Sequence, residues 1–186
     1  MSTIKYFGNK SWADITREER YFCAELFFDI KKNTKGFIYF LNRLFRSNYD
    51  IEQYWEVGFE VCFYRDFHYS IGQKVRETEY SDKRTFDLCL FSNKQFIIIE
   101  AKADQKFDNE QLTNLKKDIF EIKRLINKED ENVEIKSYLL NSSHREKNVE
   151  GFEKFTWFDL YNLFNDNQVF LTADNLPLKQ KPKSNK

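Results

Sequence analysis

A mixed β-sheet flanked by helices, an α/β or α+β sandwich, is the fold class predicted for this chain of 186 residues. Two stretches with helical apolar spacing, around 16–30 and 109–126, bracket a central block of strand-like segments. Within that block Ile97, Ile98 and Ile99 form an apolar run of the kind found in a strand buried on both faces. The order of elements reads helix, strand, strand, strand, helix, strand, helix, which fits a layered α and β architecture. Apolar residues make up 41% of the chain, and 20 Phe, 10 Tyr and 3 Trp supply bulky core anchors despite 32% charged residues. The expectation is a single domain over residues 1–174 followed by a basic tail, 175–186.

The first helix is placed by Thr16 followed by Glu19, a capping-box pair, and by Phe22, Cys23, Leu26, Phe27 and Ile30 at helical spacing. After a break from Asn33 to Gly36, residues 36–46 (GFIYFLNRLFR) continue as a second helical segment, although their aromatics also suit a strand. Residues 54–69 (YWEVGFEVCFYRDFHY) alternate well enough for one long or bent strand with Gly58 inside it. A charged loop around 72–84 leads into FDLCLFSNKQFIIIEAK, residues 86–102, which reads as a buried β-hairpin. Asp108 or Asn109 caps the next helix, whose apolar face is Leu112, Leu115, Ile119, Ile122 and Ile126. Residues 133–140 (VEIKSYLL) form another strand, and Thr156 caps a last short helix, WFDLYNLF. From Asn175 the chain holds both prolines and four lysines, the composition of a frayed tail.

Lys plus Arg and Asp plus Glu both total 30, so no overall positive field draws in a polyanion. A nucleic-acid partner would have to be held by something local or by another subunit. Cys23, Cys62 and Cys89 lie in apolar segments without CxxC spacing, as expected of buried free thiols in a reducing cytosol. The N-terminus lacks the apolar core of a signal peptide and no run reaches the 18 or more apolar residues of a membrane span. A soluble cytoplasmic protein with no membrane role is expected. His68 and His144 lack a paired ligand motif and read as surface or hydrogen-bonded structural residues.

With the hairpin turn centred on Asn93 and Lys94, Phe91 faces Phe96 and Asp87 faces Glu100. Directly opposed residues of an antiparallel pair share a face with Cβ atoms roughly 4.5–5.5 Å apart, and Lys102 joins that face two residues beyond Glu100. Facing carboxylates repel unless a positive charge sits between them. Mg²⁺, or Mn²⁺ in its place, suits that position with Asp87 and Glu100 as metal ligands, because it takes one or two carboxylates and fills its other positions with water or phosphate oxygens. Such an ion polarises a phosphodiester and activates water, and Lys102 stabilises developing charge or orients the nucleophile. The plainer reading makes Asp87 and Glu100 solvated strand ends with Lys102 as counter-charge. The buried isoleucine run weakens it.

These residues resemble the PD-(D/E)XK nuclease superfamily: Asp87 in FDLCLF, then Glu100-x-Lys102 in IIIEAK, with ITREERYFCAELF before them and NEQLTNLKKDIFEI after. The resemblance covers residues 15–165 and implies a restriction-endonuclease-like core that cleaves double-stranded DNA with Mg²⁺, with Asp87, Glu100 and Lys102 as catalytic residues. Phe86 stands where the motif's name has proline. Gln111 occupies the place of a Gln-x-x-x-Tyr element found in some relatives, but Leu115 follows four residues later. Members often add a Glu from the first helix, and Glu19 lies in the middle of the stripe formed by Phe22, Leu26, Phe27 and Ile30, either as cap or as part of the metal shell. Glu25 and Glu60 are the alternatives.

Base readout usually needs a dedicated element in the major groove, and the nuclease core uses most of this chain. With its size and zero net charge, it resembles the small catalytic subunit of a heterodimeric type IIS restriction endonuclease, whose large subunit recognises the site and nicks the other strand. The competing expectations are a stand-alone or homodimeric repair or defence nuclease, and a non-catalytic structural subunit with a nuclease fold. An intact Asp87, Glu100 and Lys102 set argues against the last. The lysines from Lys179 onward add at most nonspecific phosphate affinity.

Overall fold

Ile97, Ile98 and Ile99 are fully buried in a strand, β3 (Gln95–Ala101), that has a neighbour on each edge and helices over both faces. Side chains alternate across a sheet, so an unbroken apolar run needs apolar cover twice. The computed structural model, which describes residues 12–13, 15–127, 132–145 and 149–178, supplies both covers. Five strands lie in chain order: β1 (Glu56–Val61), β2 (Phe86–Phe91), β3, β4 (Glu134–Asn141) and β5 (Glu153–Thr156). The first three run antiparallel, while β4 and β5 run parallel to β3. A parallel neighbour requires a crossover, and α4 (Asn109–Ile126) makes it between β3 and β4. The result is a mixed sheet in an α+β fold, as the sequence predicts.

One face is covered by α1 (Glu19–Lys32), α2 (Thr34–Phe45), α5 (Trp157–Leu163) and α6 (Gln168–Asp174), with Phe22, Leu26, Phe37, Trp157 and Phe170 packed in one cluster with Leu88, Ile97, Ile99 and Tyr138. The other face is covered by α3 (Phe63–Ser70) and α4, where Phe63, Leu115 and Ile122 cluster with Cys89, Phe96, Ile98 and Leu139. Cys23, Cys62 and Cys89 are buried and unbridged. His68 is buried and bonds to Gln73 through its ring, whereas the His144 side chain is exposed. Among the described residues no helix is long and apolar enough to cross a membrane.

Four sequence expectations need correction. The long strand over 54–69 is instead β1 followed by α3. Glu60 adopts a left-handed φ of 51°, and beyond it Tyr64 and His68 are buried one helical turn apart, so an apparent alternation conceals helical spacing. The Thr16–Glu19 capping box does not form: Glu18 is the N-cap, the Thr16 hydroxyl accepts from the Glu18 amide, and Glu19 opens the helix with its side chain turned elsewhere. Strand β5 and helix α6 were absent from the expected order; left-handed Asn165 and Asp166 turn the chain and Asn167 caps α6. The tail does not fray at Asn175, since Arg145 donates to the Leu176 carbonyl and Arg17 to the Pro177 carbonyl. Its lysines from Lys179 onward, like the N-terminal stretch before Trp12, lie outside the described residues.

Candidate active site

The hairpin register expected from the sequence is present, with Phe91 paired to Phe96 and each following pair in step as far as Leu88 with Ile99. There the β2–β3 ladder stops. The next amide facing β2, that of Ala101, donates instead to the Asp87 carboxylate at 2.8 Å. On its other edge β2 pairs with β1 from Glu56–Phe91 to Val61–Phe86, but the Glu60–Asp87 pair is missing where Glu60 turns left-handed. Asp87 therefore sits where two ladders are interrupted together. A left-handed conformation at a residue other than glycine costs roughly 1–2 kcal/mol, so this opening carries a local cost.

The Glu100 side chain is only 14% exposed and lies close enough to Asp87 to feel its charge. Burial first, then the Asp87 charge, lift the Glu100 carboxyl to about 8, with Arg84 pulling the other way. Arg84 reaches Glu100 through Nη2 at 2.7 Å and Asp118 of α4 through Nε at 2.7 Å.

Lys102 leaves the end of β3 with its backbone fixed on two sides: its amide donates to the Leu140 carbonyl at 2.8 Å, and its carbonyl accepts from Trp157 Nε1 at 3.0 Å. Its Nζ donates to Glu19 Oε1 at 2.9 Å, and Glu19 Oε2 accepts from the Ala103 amide at 3.1 Å. Burial lowers the lysine pKa, but Glu19, Asp87 and Glu100 more than reverse that, leaving the amine above its ordinary range. Burial also raises the Glu19 carboxyl, with Lys102 opposing. Glu19 thus joins this cluster of side chains and is not a helix cap.

Asp87, Glu100, Lys102 and Glu19 are brought together as the sequence suggests. Gln111 lies farther out: it shares a capping box with Asp108 and lines a cleft of about 580 Å³ together with Glu100, Lys102, Arg84, Tyr80 and Phe107. Glu60 is paired with Arg20 at 2.6 Å, and Glu25 is half-buried on α1 without a bond to these four residues. Arg84 and Asp118 were missed. Their only sequence signals are an arginine just before β2 and a carboxylate on α4 beside the apolar positions Leu115, Ile119 and Ile122.

Among the described residues no group of three or more His, Cys, Asp or Glu side chains is arranged to hold a metal ion. The carboxylate pair nevertheless fits Mg²⁺ by its chemistry. Hard oxygen donors are present, Mg²⁺ accepts as few as one or two of them, and the Asp87 charge acts on Glu100 as a like charge that a cation would offset. Compared with protein-family models, with curated proteins and with solved structures, the chain matches none.

Proposed function

We propose that the chain is a Mg²⁺-dependent DNA endonuclease of the PD-(D/E)XK type with a restriction-endonuclease-like core, serving as the small subunit that cuts one strand of a site chosen by a large partner. The observation that carries this reading is the half-buried Asp87–Glu100 pair at the interrupted end of the hairpin, with Lys102 held beside it by Glu19. Asp87 and Glu100 would hold Mg²⁺, or Mn²⁺ in its place. Bound there, the ion supplies Lewis acidity toward a phosphodiester oxygen and an acidified water.

The remaining roles follow from the side chains. Asp87 is oriented by the Ala101 amide, so its second oxygen stays available. Lys102 keeps its proton against a raised pKa, which suits it to meet negative charge building on the attacked phosphate rather than to act as a base. Glu19 fixes the direction of that ammonium. The cleft beside the site carries both signs of charge, with Lys83, Lys117 and Arg124 offset by Glu79, Asp118 and Glu121. Nonspecific DNA affinity comes chiefly from phosphate neutralisation by Lys and Arg, so this balance supports a partner that supplies DNA binding and site choice.

The test is strand-specific cleavage of an end-labelled duplex in Mg²⁺, by the chain alone and joined to a site-recognising large subunit. Cleavage of one strand only in the joined complex, abolished by Glu100→Ala, is the expected result. Cleavage by the chain alone would leave the nuclease and remove the dependence on a partner. Uncut strands in both settings would overturn the reading.

A further inference from the structure

Arg84 makes four contacts, and only one of them is with the carboxylate pair. Its Nε donates to Asp118 Oδ2 at 2.7 Å, its Nη1 to the Thr85 carbonyl at 3.2 Å, and its guanidinium lies 4.6 Å from the centre of the Phe86 ring. These three anchor Arg84 independently of Glu100. The fourth, Nη2 to Glu100 Oε1 at 2.7 Å, takes an oxygen that a cation ligand needs. The dependence is one-sided: Glu100 has Arg84 as its cationic neighbour, while Arg84 also has Asp118. The two carboxylates are similarly exposed, 14% for the Glu100 side chain and 13% for that of Asp118, and each takes a different nitrogen of the one guanidinium, which divides its charge between them.

We infer that Arg84 is a positioning residue that stands in for a divalent cation at Glu100, and that Asp118 sets how readily it gives Glu100 up. The inference rests on the reading of Asp87 and Glu100 as cation ligands. A guanidinium bonded to a ligand oxygen both blocks it and repels an incoming dication, so it lowers cation affinity. A carboxylate on the far side of the guanidinium draws it away and partly neutralises it, and so raises that affinity. Arg84 and Asp118 form an ion pair with each other, yet their removal is expected to act in opposite directions.

The experiment is Mn²⁺ binding to the full chain at fixed pH, read from the electron paramagnetic resonance signal of the free ion, with circular dichroism confirming the fold of each variant. Asp87→Asn should lose tight Mn²⁺ binding. Arg84→Gln should bind Mn²⁺ more tightly by about fivefold, a modest coupling between neighbouring sites, and Asp118→Asn more weakly. Arg84→Lys serves should Arg84→Gln not fold, and is also expected to bind more tightly, because a single ammonium is a poor bridge between two carboxylates. Lys117→Gln, which removes the same charge from the same cleft, should change affinity less than twofold.

If Arg84→Gln binds no more tightly than the parent, if the Arg84 and Asp118 variants move together, or if Lys117→Gln matches Arg84→Gln, Arg84 does not occupy the place of the cation. Those outcomes leave the carboxylate site itself standing, provided Asp87→Asn has lost binding. Undiminished binding by Asp87→Asn overturns both ideas and moves the cation elsewhere.

Discussion

The two ends of the β2–β3 hairpin are built from the same two strands and finish in opposite ways. At the turn, Phe91 and Phe96 are paired and stacked with ring centres 4.6 Å apart, and the Ser92 amide closes the loop on the Gln95 carbonyl at 2.9 Å. Every step from there to Leu88–Ile99 is regular. At the far end a carboxylate replaces the backbone acceptor, the neighbouring ladder loses a pair, and a second acid, Glu100, is tied to Arg84. Apolar pairing at one end stabilises the sheet by itself; the charged end is stable only with a proton, an arginine or a cation added. Local departures of this kind are where function is commonly found.

The largest expected effects separate activity from folding. In a complex that cuts, Asp87→Asn, Glu100→Gln and Lys102→Ala should each slow cleavage by about 100-fold or more, the scale of losing one oriented electrostatic group, while circular dichroism stays unchanged. Near-parental cleavage by any of the three removes that residue from the chemistry. Ile98→Ala, in the middle of the hairpin, is expected to do the reverse. It should destabilise the fold by about 2–5 kcal/mol, the range for cavity-forming substitutions in a packed core, whereas Asp87→Asn in chelator should cost much less. Urea denaturation of both variants checks the contrast, and equal losses would erase it.

A smaller effect concerns pH. Glu100 titrates at about 8 in the fold against an ordinary 4.5, so between these values the folded state binds more protons than the unfolded one. Stability in chelator should therefore fall as pH rises from 5 toward 8, and the raised Glu19 carboxyl adds the same sign. Glu100→Gln should flatten this slope in melting curves taken across the range; an unchanged slope would place the titrating group elsewhere. The smallest effect lies at Glu60, beside Asp87. Glu60→Gly should be more stable than Glu60→Ala by about 1 kcal/mol, because only glycine takes a left-handed φ without a steric cost. Equal stabilities would mean that the strand relaxes there.

Much of this contrast was legible in the sequence, for identifiable reasons. The isoleucine run fixed a central strand, and a two-residue turn fixed the register, which together placed Asp87 opposite Glu100. Helical apolar spacing found α1, and a cap at Asp108 or Asn109, of which the structure uses Asp108, and one at Thr156 marked the starts of α4 and α5. Glu19 was ambiguous because Thr16-x-x-Glu19 satisfies the capping rule on paper, while the contact that decides its role comes from Lys102, 83 residues away. Arg84 and Asp118 were illegible for the same reason, since 34 residues separate them and no local rule joins a loop arginine to a helix carboxylate. Helix α3 was hidden by aromatics that suit either period, and the left-handed Glu60 that ends the alternation has no glycine to announce it.

The central claim is that the open end of the hairpin is completed by a divalent cation, and its most direct measurement is the melting temperature at pH 7.5 with and without Mg²⁺, for the parent chain and Asp87→Asn. A ligand bound only by the folded state raises its stability by the logarithm of one plus the ratio of free ligand to its dissociation constant. The parent should melt at a higher temperature in Mg²⁺ than in chelator, and Asp87→Asn should show little or no rise. An equal rise in both proteins, or none in the parent at millimolar Mg²⁺, would contradict it.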